Sequence, residues 1–361
     1  MAKPDISIVV AGLTDRIGDL VVELLPKGRR HGHEWRCGSL AGEAGQSLAV
    51  NIGPSRPGVW CDFTNPSVDK GDAFDLVAKQ RFGGDKRRAL AWSISWLGLD
   101  DMDPGRIKKN ERDIKVRKDK REDESRKERM KKRRKAHAIW MDANPDIIGT
   151  PVDLYLQGRG VDLSRLDHLP GAIRFAPSLY EPSTKKNFPA MVTSINGVKG
   201  NFAAVHRTWL HIEPGGQVVK APVADPKMVL GSFKGGCIRL WRGERVNEKT
   251  GEIKRGLSWG QIKADGELMV FEGIEDALTA AMVRSELRIA VGVTVGHLSL
   301  MMLPACFSKI TIVADNDAPE SRAAKELETA VKNFQNQGLK VFLIRPPEGF
   351  KDINEMLTKE K

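Results

Sequence analysis

Carboxylates standing where predicted strands end constrain this chain more than any other feature. The stretch Leu268-Met-Val-Phe-Glu-Gly-Ile-Glu-Asp276 reads as a short apolar strand that stops at Glu272-Gly273, and Ala277 to Val283 continues as a helix. Lys309-Ile-Thr-Ile-Val-Ala-Asp-Asn-Asp317 repeats the pattern, an alternating β-branched run ending in an Asp-x-Asp pair ahead of a helical segment from Glu320 to Gln335. Strand, acidic turn and helix in succession predict an α/β fold with a Rossmann-like parallel sheet. In such a sheet ligands bind in the crevice at the carboxyl ends of the strands, so acids delivered by separate strands converge there. Convergent carboxylates without His or Cys favour Mg²⁺ or Mn²⁺ over zinc, and Mg²⁺ is commonly held by one or two carboxylates together with substrate phosphates. For Asp276 or Glu275 alone, a helix N-cap or first-turn acid explains the residue equally well. Taken together, Glu272, Asp276, Asp315, Asp317 and Asp352 point to phosphate chemistry.

Those residues also carry a resemblance. Glu-Gly-x-x-Asp after a hydrophobic strand, Asp-x-Asp further on, and Lys351-Asp-Ile-Asn-Glu355 near the end resemble the Toprim domain shared by topoisomerases, DnaG-type primases and some nucleases. The resemblance covers about Asp265 to Leu357. It implies Glu272 as an acid/base or metal-facing residue, Asp315 and Asp317 as metal ligands, and Asp276 and Asp352 as further acids of the site. Primases of this kind often carry Asp where this chain has Asn354, which puts the second metal position in doubt. Upstream, Leu230-Gly-Ser-Phe-Lys-Gly-Gly-Cys-Ile-Arg-Leu240 is similar to the basic motif before the Toprim domain of bacterial and phage primases, and it implies Lys234 and Arg239 as countercharges for a triphosphate. Val205-His-Arg-Thr-Trp-Leu210 with Lys220-Ala-Pro-Val223 resembles a segment of phage and prophage primases and adds Arg207 and Lys220, although His206 and Arg207 equally suit a sheet surface. A type IA topoisomerase needs an active-site Tyr in a large toroidal domain, and the chain has only Tyr155 and Tyr180.

Primases of this type open with a zinc ribbon whose ligands come in two close pairs. Here Trp35-Arg-Cys-Gly-Ser-Leu40 and Gly58-Val-Trp-Cys-Asp-Phe63 stand where those pairs would be. Cys37 and Cys61 occupy the first place of each pair, while Leu40 and Thr64 stand where their companions belong. A structural zinc site takes four tetrahedral N or S ligands. His31 and His33 are the candidates for the missing two, but the expectation is a metal-free remnant of the ribbon stabilised by Trp35, Trp60 and Phe63, which would still touch template DNA.

Composition agrees with these motifs. The 361 residues suggest two or three domains, and the formal charge of +11 suits a polyanionic partner bound largely through its phosphates. Four Cys without a disulfide framework, no signal pattern and no apolar run of about 18 residues lead to the expectation of a cytoplasmic protein with no membrane partner. Much of the positive charge lies between Arg106 and Lys135, where good helix formers and acid-base neighbours without Gly or Pro predict a solvated single helix, either a spacer or a nucleic-acid arm. The expected organisation is a small β-rich domain over 1–100, a basic helical linker over 101–138, a mixed α/β subdomain over 139–262 and the Toprim-like domain over 263–361. Arg159 and Arg174 join Arg207, Lys220, Lys234 and Arg239 as candidates to line a basic groove. The resemblance implies templated RNA synthesis from ribonucleoside triphosphates on single-stranded DNA with Mg²⁺ or Mn²⁺. Because the sequence stops soon after Leu357, a helicase partner is expected to be a separate chain. A Toprim-type nuclease and a non-catalytic DNA-binding factor are the rival readings, and no Gly-x-x-x-x-Gly-Lys-Ser/Thr loop accompanies a nuclease here.

Overall fold

A computed structural model describes residues 5–66, 68–99, 104–247, 249–318 and 320–359. They form two compact units, Met1–Glu128 and Arg129–Lys361.

The N-terminal unit opens with helices α1 (Ile6–Asp15) and α2 (Ile17–Leu24). Strands β1 (Arg29–His31), β2 (Glu34–Cys37), β3 (Leu48–Asn51), β4 (Trp60–Asp62) and β5 (Lys70–Gly71) follow, then α3 (Ala73–Phe82) and α4 (Lys86–Trp96). The strands form an antiparallel meander in chain order. Such a short-stranded sheet needs a cover for its apolar face, and the helices supply it. Leu13, Leu20, Val21, Phe74 and Val77 share one core with Cys37, Leu48, Val50 and Trp60. Helices therefore account for more of this unit than the expected β-rich domain allowed.

Strand register takes apart the candidate zinc set. Cys37 lies opposite Leu48, which lies opposite Asp62, whereas Cys61 lies opposite Ala49. Side chains alternate faces along a strand, so the two thiols point to opposite sides of the sheet. Cys37 is buried and donates to the Ser39 carbonyl, and burial, with Glu43 and Asp62 nearby, pushes its thiol up to about 11. His31 is exposed on β1, and Thr64 donates to Asp62 Oδ1 at 2.6 Å. Trp35 and Trp60 anchor the unit as expected, donating to the carbonyls of Leu25 and Asp72, but Phe63 is 60 % exposed and stabilises no core.

Helix α5 (Pro104–Asp142) realises the predicted charged helix, and position 101, where the linker was expected to begin, lies outside the described residues. Its end is not a solvated spacer: Ala136, Ile139 and Trp140 pack on one face of the first sheet of the C-terminal unit. After α6 (Pro151–Gly158) that sheet is built from β6 (Ile173–Glu181), β7 (Lys186–Asn196), β8 (Phe202–Ile212), β9 (Val218–Lys220) and β10 (Lys227–Gly231). Its order is β10-β8-β7-β6, with β9 pairing the end of β8, and every pair is antiparallel. The α5 side holds Val205 and Trp209, and the α6 side holds Ala204 and Leu210.

The second sheet comprises β11 (Ile238–Trp241), β14 (Gly266–Phe271), β15 (Ile289–Val291), β16 (Phe307–Val313) and β17 (Lys340–Ile344). The hairpin β12 (Glu244–Val246) and β13 (Ile253–Arg255) stands apart. The order is β11-β15-β14-β16-β17, with β15, β14, β16 and β17 parallel and β11 antiparallel at the edge. The segment the sequence groups with the preceding subdomain thus contributes a strand to the parallel sheet. Helix α7 (Ile274–Val283) covers one face through Ile274, Ala277, Leu278 and Ala281. On the other face lies α9 (Arg322–Asn336), through Leu327, Ala330 and Phe334. Helices α8 (Val295–Leu298) and α10 (Ile353–Lys359) complete the unit. Among the described residues no helix is long and apolar enough to cross a membrane.

Candidate active site

The acids arrive at one end of the parallel sheet because β14 and β16 run side by side, with Phe271 opposite Val313. Glu272 follows the last residue of β14 and Asp315 stands just beyond β16. Gly273 caps α7, and a Cβ there would lie 2.7 Å from Asp276 Oδ2, so the acid folds back closely over this turn and a side chain at 273 would displace its carboxylate. Asn316, the middle residue of the Asp-x-Asp pair, holds the loop ahead of Asp352 by donating from Nδ2 to the carbonyls of Pro346, Pro347 and Phe350. Asp352 Oδ1 in turn accepts from the Glu355 N–H in the first turn of α10. Glu272, Asp276, Asp315 and Asp352 all line a cavity of about 610 Å³.

The opposite wall is cationic and comes from the first sheet. Lys220 lies opposite Leu210 and Lys227 opposite Thr208, so with His206 they project from the same face of that sheet. Arg159, just after α6, also lines the cavity. The two lysines gather on Glu275, whose Oε1 lies 3.3 Å from Lys227 Nζ and 3.9 Å from Lys220 Nζ and accepts from the Tyr155 hydroxyl at 2.6 Å. Burial alone would raise the Glu275 carboxyl, but Lys227, Tyr155 and Lys220 together hold it down to about 2. Burial and the Lys227 charge bring His206 down to about 4, so its ring is neutral at physiological pH.

Glu272 behaves in the opposite way. Burial first, then the charges of Asp315 and Asp317, push it up to about 7. Burial and the neighbouring Asp276, Asp352 and Asp317 lift Asp315 to about 6, and burial raises Asp276. Desolvated acids that repel one another in this way are under-compensated by the protein's own cations, which is the donor set a hard divalent ion suits. Among the described residues no three His, Cys, Asp or Glu side chains form a ready-made metal cage. The acids fit an ion that completes its shell with water and substrate oxygens.

A family model for the Toprim domain matches residues 267–361, the strands, turns and helices that carry all five acids. Residues 267–361 are a Toprim domain. A domain of unknown function, DUF7146, matches residues 130–240 ahead of it. No curated protein matches the chain in sequence. Among solved structures, the chain is similar to the Aquifex aeolicus primase (zinc binding and RNA polymerase domains). That match has 14 % identity and a TM-score of 0.35 over 97 % of this chain and 82 % of the other. The E. coli primase catalytic core gives 18 % identity and a TM-score of 0.32 over 60 % and 71 %. A DnaG primase catalytic domain bound to ssDNA gives 16 % and 0.33, again over 60 % and 71 %.

Not every basic candidate reaches the Toprim acids. Arg207 alternates with His206 and faces the α5 side, buried, with its guanidinium 4.8 Å from the Trp209 ring. Arg174 closes the end of α5, donating to the Trp140 carbonyl at 2.8 Å. Arg239 donates to the carbonyls of Gly197 and Val198 and lines a different cavity. Lys234 is exposed in the turn before β11, outside the lining of the acid cavity. Of the sequence candidates, Lys220 and Arg159 stand on the cavity wall, joined by Lys351, the first residue of the Lys-Asp-x-Asn-Glu motif, and by Lys227, which no motif contained. Asn354, where an acid was expected, is a buried clip. Its N–H donates to Asp276 Oδ1 at 3.0 Å, and its Nδ2 donates to the Arg159 carbonyl and to Thr279 Oγ1.

Proposed function

We propose that the protein is a DnaG-like DNA primase of the phage or prophage kind, joining ribonucleoside triphosphates into short RNA on single-stranded DNA. The observation that carries this reading is the facing of an acidic sheet edge and a lysine-rich wall across one cavity. Nucleotidyl transfer needs both, carboxylates for a divalent ion and fixed cations for the triphosphate. Asp315 and Asp317, with Glu272 beside them, are the residues to hold Mg²⁺ or Mn²⁺, and Asp276 and Asp352 support them. Such an ion, when bound, supplies charge neutralisation for the oxygens of an in-line displacement.

The chain's own residues do the rest. Lys227 and Lys220, oriented by Glu275 and Tyr155, bind triphosphate oxygens without having to be ordered on arrival. Glu272, held near neutrality in its ionisation, can take or return a proton at the attacking hydroxyl. His206 offers hydrogen bonding without adding charge. The basic helix α5 and the N-terminal unit contact the template, and a replicative helicase is a further partner.

Purified protein is incubated with single-stranded DNA, Mg²⁺ or Mn²⁺ and labelled ribonucleotides, with Asp315→Ala in parallel, and products are resolved on a denaturing gel. Short template-dependent oligoribonucleotides that disappear in the variant are the expected result. Shortened template without new RNA would replace the reading with a Toprim nuclease, and neither signal, with a helicase also supplied, would leave a DNA-binding factor.

A further inference from the structure

A second cavity of the C-terminal unit, of about 230 Å³, shares no lining residue with the acid site. It forms between β11, the β12–β13 hairpin and the segment leading into β6. Three arginines line it: Arg239 from β11, Arg242 just beyond that strand, and Arg255 at the end of β13. No carboxylate does.

Arg239 is fixed. Its Nη2 donates to the carbonyls of Gly197 and Val198 at 2.9 Å each, and its guanidinium lies 4.1 Å over the Trp259 ring. Its Nε is buried and, among the described residues, has no hydrogen-bond partner. Arg242 and Arg255 are exposed, with their heads free to close over an incoming group. His168 stacks on Trp241 with ring centroids 4.1 Å apart, and burial followed by the charges of Arg255 and Arg242 lowers its pKa. A neutral imidazole beside cationic forks adds hydrogen-bonding capacity without adding repulsion.

We propose that this cavity is a second phosphate-binding site, taking one phosphate group of a nucleic-acid strand or of a nucleotide. Guanidinium forks match phosphate oxygens in pairs. The cavity is smaller than the roughly 300–1,000 Å³ of pockets that enclose a whole drug-sized ligand, so the phosphate enters and the remainder stays outside. The Trp259 face is covered by Arg239 and offers no stacking platform for a base. Recognition is therefore of phosphate and independent of sequence. Binding alone is required, so the inference does not depend on nucleotidyl transfer.

The test uses the full chain in EDTA. Fluorescence anisotropy follows a labelled oligo-dT across a salt series, and tryptophan fluorescence follows ATP. The double variant Arg242→Ala/Arg255→Ala is compared with Arg245→Ala/Lys254→Ala, which removes equal charge from the same hairpin outside the cavity. If the source is a backbone phosphate, the first variant binds the strand more weakly and its log K against log salt slope flattens by about 0.7, the value for one phosphate contact on a single strand. If the source is a free nucleotide, ATP affinity falls instead. Arg242→Lys/Arg255→Lys recovers the slope without the full affinity. Unchanged strand and ATP binding in the first variant, or an equal loss in the hairpin control, would overturn the proposal. Absence of primer synthesis in the earlier assay leaves these binding results untouched.

Discussion

Replacing Asn354 by Asp restores the acid that the Toprim resemblance leads one to expect, and the structure says it should harm the protein. Asn354 is 4 % exposed, and its Nδ2 donates to the Arg159 carbonyl at 2.7 Å and to Thr279 Oγ1 at 2.9 Å. The Thr279 hydroxyl donates its own hydrogen to the Glu275 carbonyl at 3.0 Å, so towards residue 354 it can only accept. A carboxylate would face two acceptors. If Thr279 turned to donate to it, the Glu275 carbonyl would keep only its helical bond from the Thr279 N–H, and the Arg159 carbonyl would still be unmet. One or two unmet buried groups cost about 1–3 kcal/mol each, and an acid in the first turn of α10 recovers about 0.3–1 kcal/mol. The net loss is about 1–5 kcal/mol, a fall in melting midpoint on the order of 10 °C for a unit of this size. Burial and the neighbouring Asp276 and Asp352 raise the new acid's pKa above its unfolded value of about 3.9. Its protonated form can donate one bond, so the deficit is smallest below about pH 4 and grows as pH rises through the folded pKa. Circular dichroism melts of both proteins in EDTA at several pH values measure this. Equal midpoints at pH 8, or a deficit that shrinks as pH rises, would refute the reasoning, and full recovery in Mg²⁺ would mean that residue 354 faces the cation.

Two further outcomes follow from the same cavity. Lys227→Met removes one charge-assisted contact worth about 1.5–3 kcal/mol, so the KM for ribonucleoside triphosphate should rise roughly 10- to 100-fold in steady-state primer synthesis; an unchanged KM would remove Lys227 from the triphosphate site. Glu272→Gln should abolish activity yet stabilise the metal-free protein at pH 8. Folding raises this carboxyl from 4.5 to about 7, so the wild-type protein loses stability as pH climbs between those values and the variant does not. The full shift would be about 3 kcal/mol at 1.36 kcal/mol per unit, and partial exposure reduces it to about 1–2 kcal/mol. Equal wild-type and variant midpoints at both pH 4.5 and pH 8 in EDTA would show that Glu272 is not under strain.

The parallel sheet and its acid edge were legible because each rests on local patterning. An apolar run, an acidic turn and a helix fix the side of the sheet on which Glu272 and Asp315 emerge, whatever surrounds them. The zinc question turned on a longer-range fact. Cys37 and Cys61 look equivalent in spacing, but register across β2, β3 and β4 sends them to opposite faces. Arg207 failed for a related reason: the same alternation that brings His206 to the cavity turns its neighbour towards Trp209. Lys227 carried a usable signal, since a lysine at the start of a short strand beside an acid-bearing sheet is a candidate, but only its pairing with Thr208 shows which way it points.

The Glu-Gly-x-x-Asp motif singles out Glu272 but says nothing of the part taken by Glu275, an identical side chain three residues on at the same turn. The first ends a strand, is desolvated among other acids and is driven up to about 7; the second sits in the first turn of α7 against Tyr155, Lys220 and Lys227 and is driven down to about 2. Opposed shifts of this kind divide labour between like groups. A carboxyl that titrates near neutrality can exchange a proton or accept a cation, whereas one that stays ionised under all ordinary conditions serves as a fixed charge that orients the lysines. The helical turn sets this division: Glu272 lies before the cap at Gly273, and Glu275 lies after it, so the chain turns the first towards the sheet edge and the second towards the wall made by β9 and β10. The acid edge and the cationic wall are therefore coupled through a single strand-to-helix turn, and a change that unwinds its first residues should disable both at once.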